Sequence, residues 1–287
     1  MPTAGPYQLT HLLGEGAMGR VWAARGPDAR PLAVKCLRAG DVDRSTLDRE
    51  LALLARLDHP NVAAILDHGV LTVEDEAPVE LIGRPWIAVE RLDADLVARP
   101  PATWSELRTV LTGVAEGLAH AHARGVLHLD LKPANVMLAG STPRIVDFGV
   151  AELVGAGVAG RVRGSPGFMS PEQLSGHPPT VSDDLFGLGA LGWSMVSGAG
   201  PYESPSIAAI RAAAVGGEAH PLPAWVPTDL ASLLGALVAP DPASRPAFAA
   251  DVVAALRAMD WPVGALPEVG PSVVPAALTL DLWADDP

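Results

Sequence analysis

The stretch His128-Leu129-Asp130-Leu131-Lys132-Pro133-Ala134-Asn135 decides how the rest of the chain is read. Asparagine occurs only twice in the 287 residues. The spacing His-x-Asp-x-x-x-x-Asn therefore arises by chance only about 0.004 times in a chain of this composition. Proline and glycine on either side make it a loop. A carboxylate at Asp130 can accept a hydroxyl proton and orient a nucleophile. The amide of Asn135 can ligate a hard metal ion, and Lys132 can neutralise charge on a moving phosphoryl group.

Working outward, Ile145-Val146-Asp147-Phe148-Gly149 follows. A carboxylate at the end of an apolar strand, before a glycine, suits Mg²⁺ held by few protein ligands, although on its own the pattern equally describes a β-turn. Upstream, Lys35 stands in the apolar strand Leu32-Ala33-Val34-Lys35-Cys36-Leu37. A lysine there can hold two phosphates as a point charge, and in such surroundings it needs a partner, which Glu50 on the following helix can supply. Earlier still is Gly14-Glu15-Gly16-Ala17-Met18-Gly19-Arg20-Val21. Glycines let a loop approach phosphates and donate backbone N–H groups. Gly-x-Gly-x-x-Gly is weak alone, since chance supplies it about 0.3 times in so glycine-rich a chain.

In this order the motifs resemble the signature set of the serine/threonine protein kinase family, most closely its bacterial branch. The resemblance covers about residues 7 to 260. It extends to Gly164-Ser165-Pro166 through Ser170-Pro171-Glu172, which is similar to the substrate-docking segment, and to Asp184 and Arg245. It implies an α+β, bilobal protein kinase fold: a β-rich N-lobe over 1–92, an α-helical C-lobe over 93–261 and a Pro-rich acidic tail over 262–287. It also implies ATP and Mg²⁺ as cofactors and a protein substrate. Gly14, Glu15, Gly16 and Gly19 would cover the phosphates, and Lys35, paired with Glu50, would grip them. Val21, Ala33 and Met137 would sandwich adenine, with Val89 as gatekeeper and Glu90 to Leu92 offering hinge backbone groups. Asp130 would be the catalytic base, with Lys132 beside it, and Asn135 and Asp147 would hold Mg²⁺. A buried Glu172–Arg245 ion pair and an Asp184 brace on the catalytic loop are implied in the same way.

Composition agrees. The chain is 49% apolar, enough for a large core. Its net charge of −13 disfavours nucleic-acid binding. The one cysteine, Cys36, excludes an internal disulfide and fits a reducing, cytoplasmic setting, with a buried, inert thiol. No signal peptide is visible in Met1–Tyr7. The uncharged run Leu185–Tyr202 approaches membrane-spanning length, but its five glycines and the preceding Asp183-Asp184 make it a buried helix rather than a membrane span. Strands are predicted over Tyr7–Leu13, Arg20–Ala24, Pro31–Leu37, Val62–Leu71 and Trp86–Leu92. Helices are predicted over Asp43–Leu57, from Thr103 with Glu106 as a capping box, and over Asp183–Ser197, Ser206–Val215, Thr228–Val238 and Ala247–Met259. Glu74, Asp75 and Glu76 form an acidic loop.

Three departures from the family pattern stand out. Leu129 occupies the place where many kinases have an arginine that binds a phosphorylated activation-loop residue. The loop from Gly149 to Gly164 contains no Ser, Thr or Tyr. Receptor and ligand of the usual switch are thus missing together, so activity is expected not to depend on phosphorylation of the central loop. Arg161 and Arg163 in this loop are either solvated or bind an acidic partner or the acidic tail. Ser170 replaces alanine, with little expected effect. The tail docks on the body of the kinase or on a partner, or is disordered, with Leu278, Leu280 and Leu282 alternating like an edge strand. A pseudokinase that serves as a scaffold would be expected to have lost Lys35, Asp130 or Asp147, and all three are present. A small-molecule phosphotransferase would share the Asp130 and Asp147 motifs, but the Gly-rich loop, docking segment and Arg245 favour a protein substrate.

Overall fold

The computed structural model describes residues 2–16, 19–37, 51, 54–78, 81–148, 165–204 and 206–269. Among these, the residues up to Leu92 form one compact unit and those from Asp93 onward form another.

The first unit is an antiparallel sheet of six strands: β1 (Thr3–Ala4), β2 (Tyr7–Gly16), β3 (Gly19–Arg25), β4 (Pro31–Leu37), β5 (Ile65–Val70) and β6 (Pro85–Glu90), in the order β1-β2-β3-β4-β6-β5. Residues directly opposite one another, and those two apart along a strand, share a face. The pairs Trp22↔Val34↔Ala88 and Cys36↔Trp86 therefore place one apolar set on one face. Ala4, Leu9, Leu71 and Leu81 complete a buried cluster with them. Tyr7 meets the Trp86 ring edge-on at 5.6 Å. Asp75 is buried rather than solvated. Its carboxylate accepts from the backbone of Gly5 at 2.7 Å and from both the amide and hydroxyl of Thr72, at 2.7 and 3.0 Å. It thereby ties the N-terminal turn to the loop after β5. A buried carboxylate has to be satisfied in this way, because desolvating it without donors costs several kcal/mol.

The strands fall where alternation predicts them, with β5 three residues shorter at its start and β6 ending at Glu90 rather than Leu92. Most of the predicted 43–57 helix, Glu50 included, lies outside the described residues. Its Leu51, Leu54 and Leu57 are buried.

The second unit is mainly helical. It comprises α1 (Trp104–His122), α2 (Pro171–Leu174), α3 (Val181–Ser197), α4 (Ile207–Gly216), α5 (Thr228–Leu237) and α6 (Ala249–Ala258). Thr103 caps α1 in the expected box: its hydroxyl accepts from the Glu106 amide at 3.1 Å, and Glu106 accepts from the Thr103 amide at 3.1 Å. Leu107, Val110, Leu111, Val114 and Leu118 form the buried face. The uncharged run forms most of α3, buried nearly all round. Gly189 has to be glycine, since a Cβ there would stand 2.5 Å from the Leu237 side chain of α5. Among the described residues no helix is long and apolar enough to cross a membrane.

A small three-stranded sheet, β7 (Ala94–Asp95), β8 (Val136–Ala139) and β9 (Thr142–Ile145), was not predicted. Its strands are too short to show a period. Its strand β8 begins directly after Asn135, at the C-terminal end of the loop carrying Asp130. The described part of the tail docks on the second unit. Trp104 donates to the Gly264 carbonyl at 3.2 Å and Leu266 to that of Ala102 at 2.8 Å. Trp104 also packs against Trp225 and Trp261. Leu278–Leu282 lies outside the described residues.

Candidate active site

In the first unit the register sets the candidate nucleotide residues in two adjacent rows on one sheet face. Val21, Lys35 and Ile87 form one row; Ala23, Ala33 and Val89 form the next. This face is opposite the Trp86 cluster, so Lys35 projects away from Cys36 although the two are neighbours in sequence. Lys35 is buried. Gly14 and Gly16 lie at the end of β2, and Gly19 begins β3. Gly19 has φ 143, and a Cβ there would stand 2.0 Å from the Cys36 carbonyl oxygen, so only glycine lets the start of β3 lie this close to β4. Glu15 forms an ion pair with Arg20 across the β2–β3 pairing at 3.2 Å. The Glu90 carboxylate accepts from the Ala64 amide at 3.0 Å, a structural use of its side chain.

In the second unit the loop Leu127–Asn135 gathers its polar groups round one carboxylate. Asp130 is 5% exposed. Its Oδ2 accepts from Lys132 Nζ at 2.9 Å and from Asn135 Nδ2 at 3.1 Å. Its Oδ1 accepts from the Ser165 amide at 3.0 Å. Lys132 Nζ also donates to Ser165 Oγ at 2.7 Å. Asn135 Nδ2 makes a second bond, to the Asp130 carbonyl at 2.7 Å. Both amide hydrogens are then used, and Oδ1 is the atom left to meet a cation.

The backbone of the loop is fixed from beneath. Asp184, on α3 and fully buried, accepts from the His128 amide at 2.8 Å, the Leu129 amide at 2.7 Å and His122 Nε2 at 2.8 Å. His128 Nε2 lies 2.9 Å from the Val146 carbonyl, and its Nδ1 accepts from the Asp130 amide at 3.2 Å. Only the Nε2–H tautomer satisfies both contacts. Val146 donates back to the Asn135 carbonyl at 3.0 Å, and Phe148 meets the His128 ring edge-on at 4.9 Å. These contacts join the Asp147 segment to the Asp130 loop. Leu129 and Asp147 both have left-handed backbones, φ 66 and 64. Such a conformation costs on the order of 1–3 kcal/mol and persists only where its surroundings enforce it.

Glu172 and Arg245 form the expected ion pair. Arg245 NH2 lies 3.0 and 3.2 Å from the two carboxylate oxygens, and its side chain is wholly buried. The other guanidinium hydrogens go to Ala239, Pro240 and Ser182. The Phe186 ring lies 5.0 Å beneath it.

The expectation that Ser170 would matter little is corrected. Its hydroxyl donates to the buried Asp183 carboxylate and accepts from the Gln173 amide at 3.0 Å as the cap of α2. Asp183 has no cation among these contacts. It is held by Ser170 and by the amide and hydroxyl of Thr180, at 2.7 and 3.2 Å. An alanine would remove a donor from a buried charge.

Sequence reasoning missed four members of this assembly: Ser165 on Asp130, His122 on Asp184, Asp183 on Ser170, and Gln173, whose Nε2 donates to the Leu129 carbonyl at 2.9 Å. Gln173 and Asp183 carried a local signal, because Ser170-Pro-Glu-Gln173 and Thr180-Val-Ser-Asp183 are capping-box patterns; Ser165 and His122 carried none. Glu50, Gly149, Arg161 and Arg163 lie outside the described residues.

The family described as "Protein kinase domain" matches residues 7–256, and the chain belongs to it. Similar relatives include a probable serine/threonine-protein kinase, PkwA, of Thermomonospora curvata, 33% identical over 96% of this chain and 38% of its own length. PkaB of Streptomyces coelicolor, a serine/threonine-protein kinase, is 35% identical over 83% of this chain and 60% of its own. PknK of Mycobacterium bovis, also a serine/threonine-protein kinase, is 34% identical over 85% and 23%. The chain therefore spans less than two thirds of each of these relatives.

Proposed function

We propose that this chain transfers the γ-phosphate of ATP to serine or threonine hydroxyls of a protein substrate, and does so without phosphorylation of its central activation loop. The observation that carries this reading is the single hydrogen-bonded set of Asp130, Lys132, Asn135 and Ser165. A carboxylate offers about four acceptor positions. The contacts above fill both on Oδ2 and one on Oδ1, so Oδ1 retains the position for a substrate hydroxyl.

In the proposed step Asp130 accepts the proton of that hydroxyl as its oxygen bonds to the γ-phosphorus. The bond from phosphorus to the β–γ bridging oxygen breaks, and its electron pair leaves with ADP. Lys132 balances charge on the transferring group. Asn135 Oδ1 and the Asp147 carboxylate are hard oxygen donors of the kind Mg²⁺ takes. Bound Mg²⁺ would neutralise the phosphate oxygens. Gly14, Glu15, Gly16 and Gly19 cover the phosphates, Lys35 with Glu50 orients them, and Val21, Ala33, Val89, Glu90, Leu92 and Met137 receive the adenine. Catalysis on this reading is mainly positioning and charge stabilisation. A cytoplasmic setting is part of the same reading.

Independence from loop phosphorylation rests on Leu129, whose side chain cannot bind a phosphate, and on the loop 149–164, which has no hydroxyl to modify. The test is transfer from radiolabelled ATP with Mg²⁺ to a generic basic protein, before and after phosphatase treatment, beside Asp147→Ala. Equal transfer in both treatments, abolished in the variant, supports the whole reading. Loss on dephosphorylation overturns the regulatory half, and absence of transfer from folded protein overturns the catalytic half.

A further inference from the structure

Leu129 has no side-chain group that could stabilise its left-handed backbone, yet its peptide groups carry the catalytic-loop geometry. It is held from two sides. Asp184 Oδ1 accepts from its amide at 2.7 Å, and Gln173 Nε2 donates to its carbonyl at 2.9 Å. That carbonyl belongs to the same peptide plane as the Asp130 amide, which donates to His128 Nδ1 at 3.2 Å. Both polar ends of the plane preceding Asp130 are therefore fixed, and a peptide plane so fixed sets the direction of the next side chain.

Gln173 is itself locked. Its Oε1 accepts from the Ser170 amide at 3.1 Å, and its own amide donates to Ser170 Oγ at 3.0 Å. Ser170 is completely buried and is anchored on Asp183 of α3. A continuous line of hydrogen bonds thus runs from α3 through Ser170 and Gln173 to the Leu129 carbonyl. It joins the docking segment to the loop that carries Asp130.

We infer that Gln173 is a positioning residue that permanently couples the substrate-docking segment to the Asp130 loop. The inference rests on the proposed independence from loop phosphorylation and supplies its physical basis. An arginine at position 129 would link the loop to the activation segment only when a phosphate is present. The amide of Gln173 links it to the docking segment with a neutral bond, insensitive to modification and little affected by salt. Asp130 is then aimed correctly whether or not any residue has been phosphorylated.

Gln173→Glu isolates the contact. Glutamate keeps the acceptor for the Ser170 amide and the helix cap, but turns a carboxylate oxygen toward the Leu129 carbonyl. Gln173→Met, which removes both polar atoms, is the second variant. In both, kcat at saturating ATP and protein substrate is expected to fall by about tenfold or more, with the KM for ATP within about twofold of wild type, because an interaction that aims the base acts on the chemical step. Hydrogen exchange at the Leu129 and Asp130 amides is expected to quicken, and the melting temperature of Gln173→Glu to stay near wild type. Unchanged kcat in both variants overturns the inference, as does a loss of kcat that only accompanies collapse of the melting temperature in both. Running the series with and without phosphatase treatment separates the two ideas. Wild type that loses turnover on treatment refutes phosphorylation independence, whereas a treated wild type that keeps it beside fully active variants refutes the role of Gln173 alone.

Discussion

The Asp184 carboxylate binds two consecutive backbone amides, those of His128 at 2.8 Å and Leu129 at 2.7 Å, and also His122 Nε2 at 2.8 Å. Three donors on one buried carboxylate explain how the loop maintains a left-handed leucine directly before Asp130.

Asp184→Asn preserves size but offers one oxygen where two are used, and points an NH₂ group at a backbone N–H. Hydrogen bonds to charged groups contribute about 1.5–3 kcal/mol each, so a stability loss of roughly 2–4 kcal/mol is expected, together with a fall in kcat. Denaturant unfolding beside a transfer assay measures both. A variant with wild-type stability would show that the carboxylate is not what holds these amides.

Asp130→Asn leaves the contacts to Lys132 and Ser165 partly in place while removing the proton acceptor. Turnover is expected to fall about 10²–10⁴-fold, the scale of a positioned general base. ATP affinity, read by fluorescence titration, should change little. Wild-type turnover in this variant would refute the assigned role.

Ser170→Ala is expected to lower stability by about 1–3 kcal/mol, since it removes a donor from the buried Asp183 carboxylate and the cap from α2. Thermal unfolding would show it. An unchanged transition would restore the view that alanine and serine are interchangeable at this position.

The parts of the fold and site that were legible in sequence are those in which chemistry and structure share a short span. The Leu32–Leu37 strand, the Thr103–Glu106 cap and the Asp130–Asn135 loop each have their signal within eight residues. Partners far apart in the chain left no such trace. Ser165 reaches Asp130 across 35 residues, and Asp184 reaches His122 across 62. Nothing in either local sequence distinguishes these from solvated side chains. Asp75 is a similar case: between Glu74 and Glu76 nothing local marks it as buried, and its burial depends on donors from Gly5 and Thr72. The strands β7 to β9 are too short for alternation to register.

Burial pushes the Cys36 thiol up from an ordinary 9.0 to about 11, with Arg20 and Arg84 opposing the shift. The thiolate is then scarce at pH 8, and alkylation of native protein by iodoacetamide at that pH should be slow, but complete in urea. The folded state favours the neutral thiol, so this contribution to stability is fully present below pH 9.0 and is lost as pH rises toward about 11. Rapid alkylation of the native chain would mean that Cys36 is not sealed under the Trp86 cluster.

Arg245→Lys is the sharpest test of how the helical unit is anchored. Arg245 donates from Nε to Ala239, from NH1 to Ser182, and from NH2 to Glu172 and Pro240. A planar guanidinium spans all of these at once; an ammonium offers three hydrogens from a single point and no flat face for the Phe186 ring. Lysine would keep the charge opposite Glu172 yet leave backbone carbonyls of the 239–240 turn without donors in a buried place. The expected cost is roughly 3–5 kcal/mol, comparable with breaking a buried ion pair outright. Arg245→Met, which removes the charge as well, should cost at least as much because Glu172 then stands unpaired. A lysine variant as stable as wild type in guanidinium titration would mean that charge alone, not the fork of donors, holds the docking segment to the turn before α6.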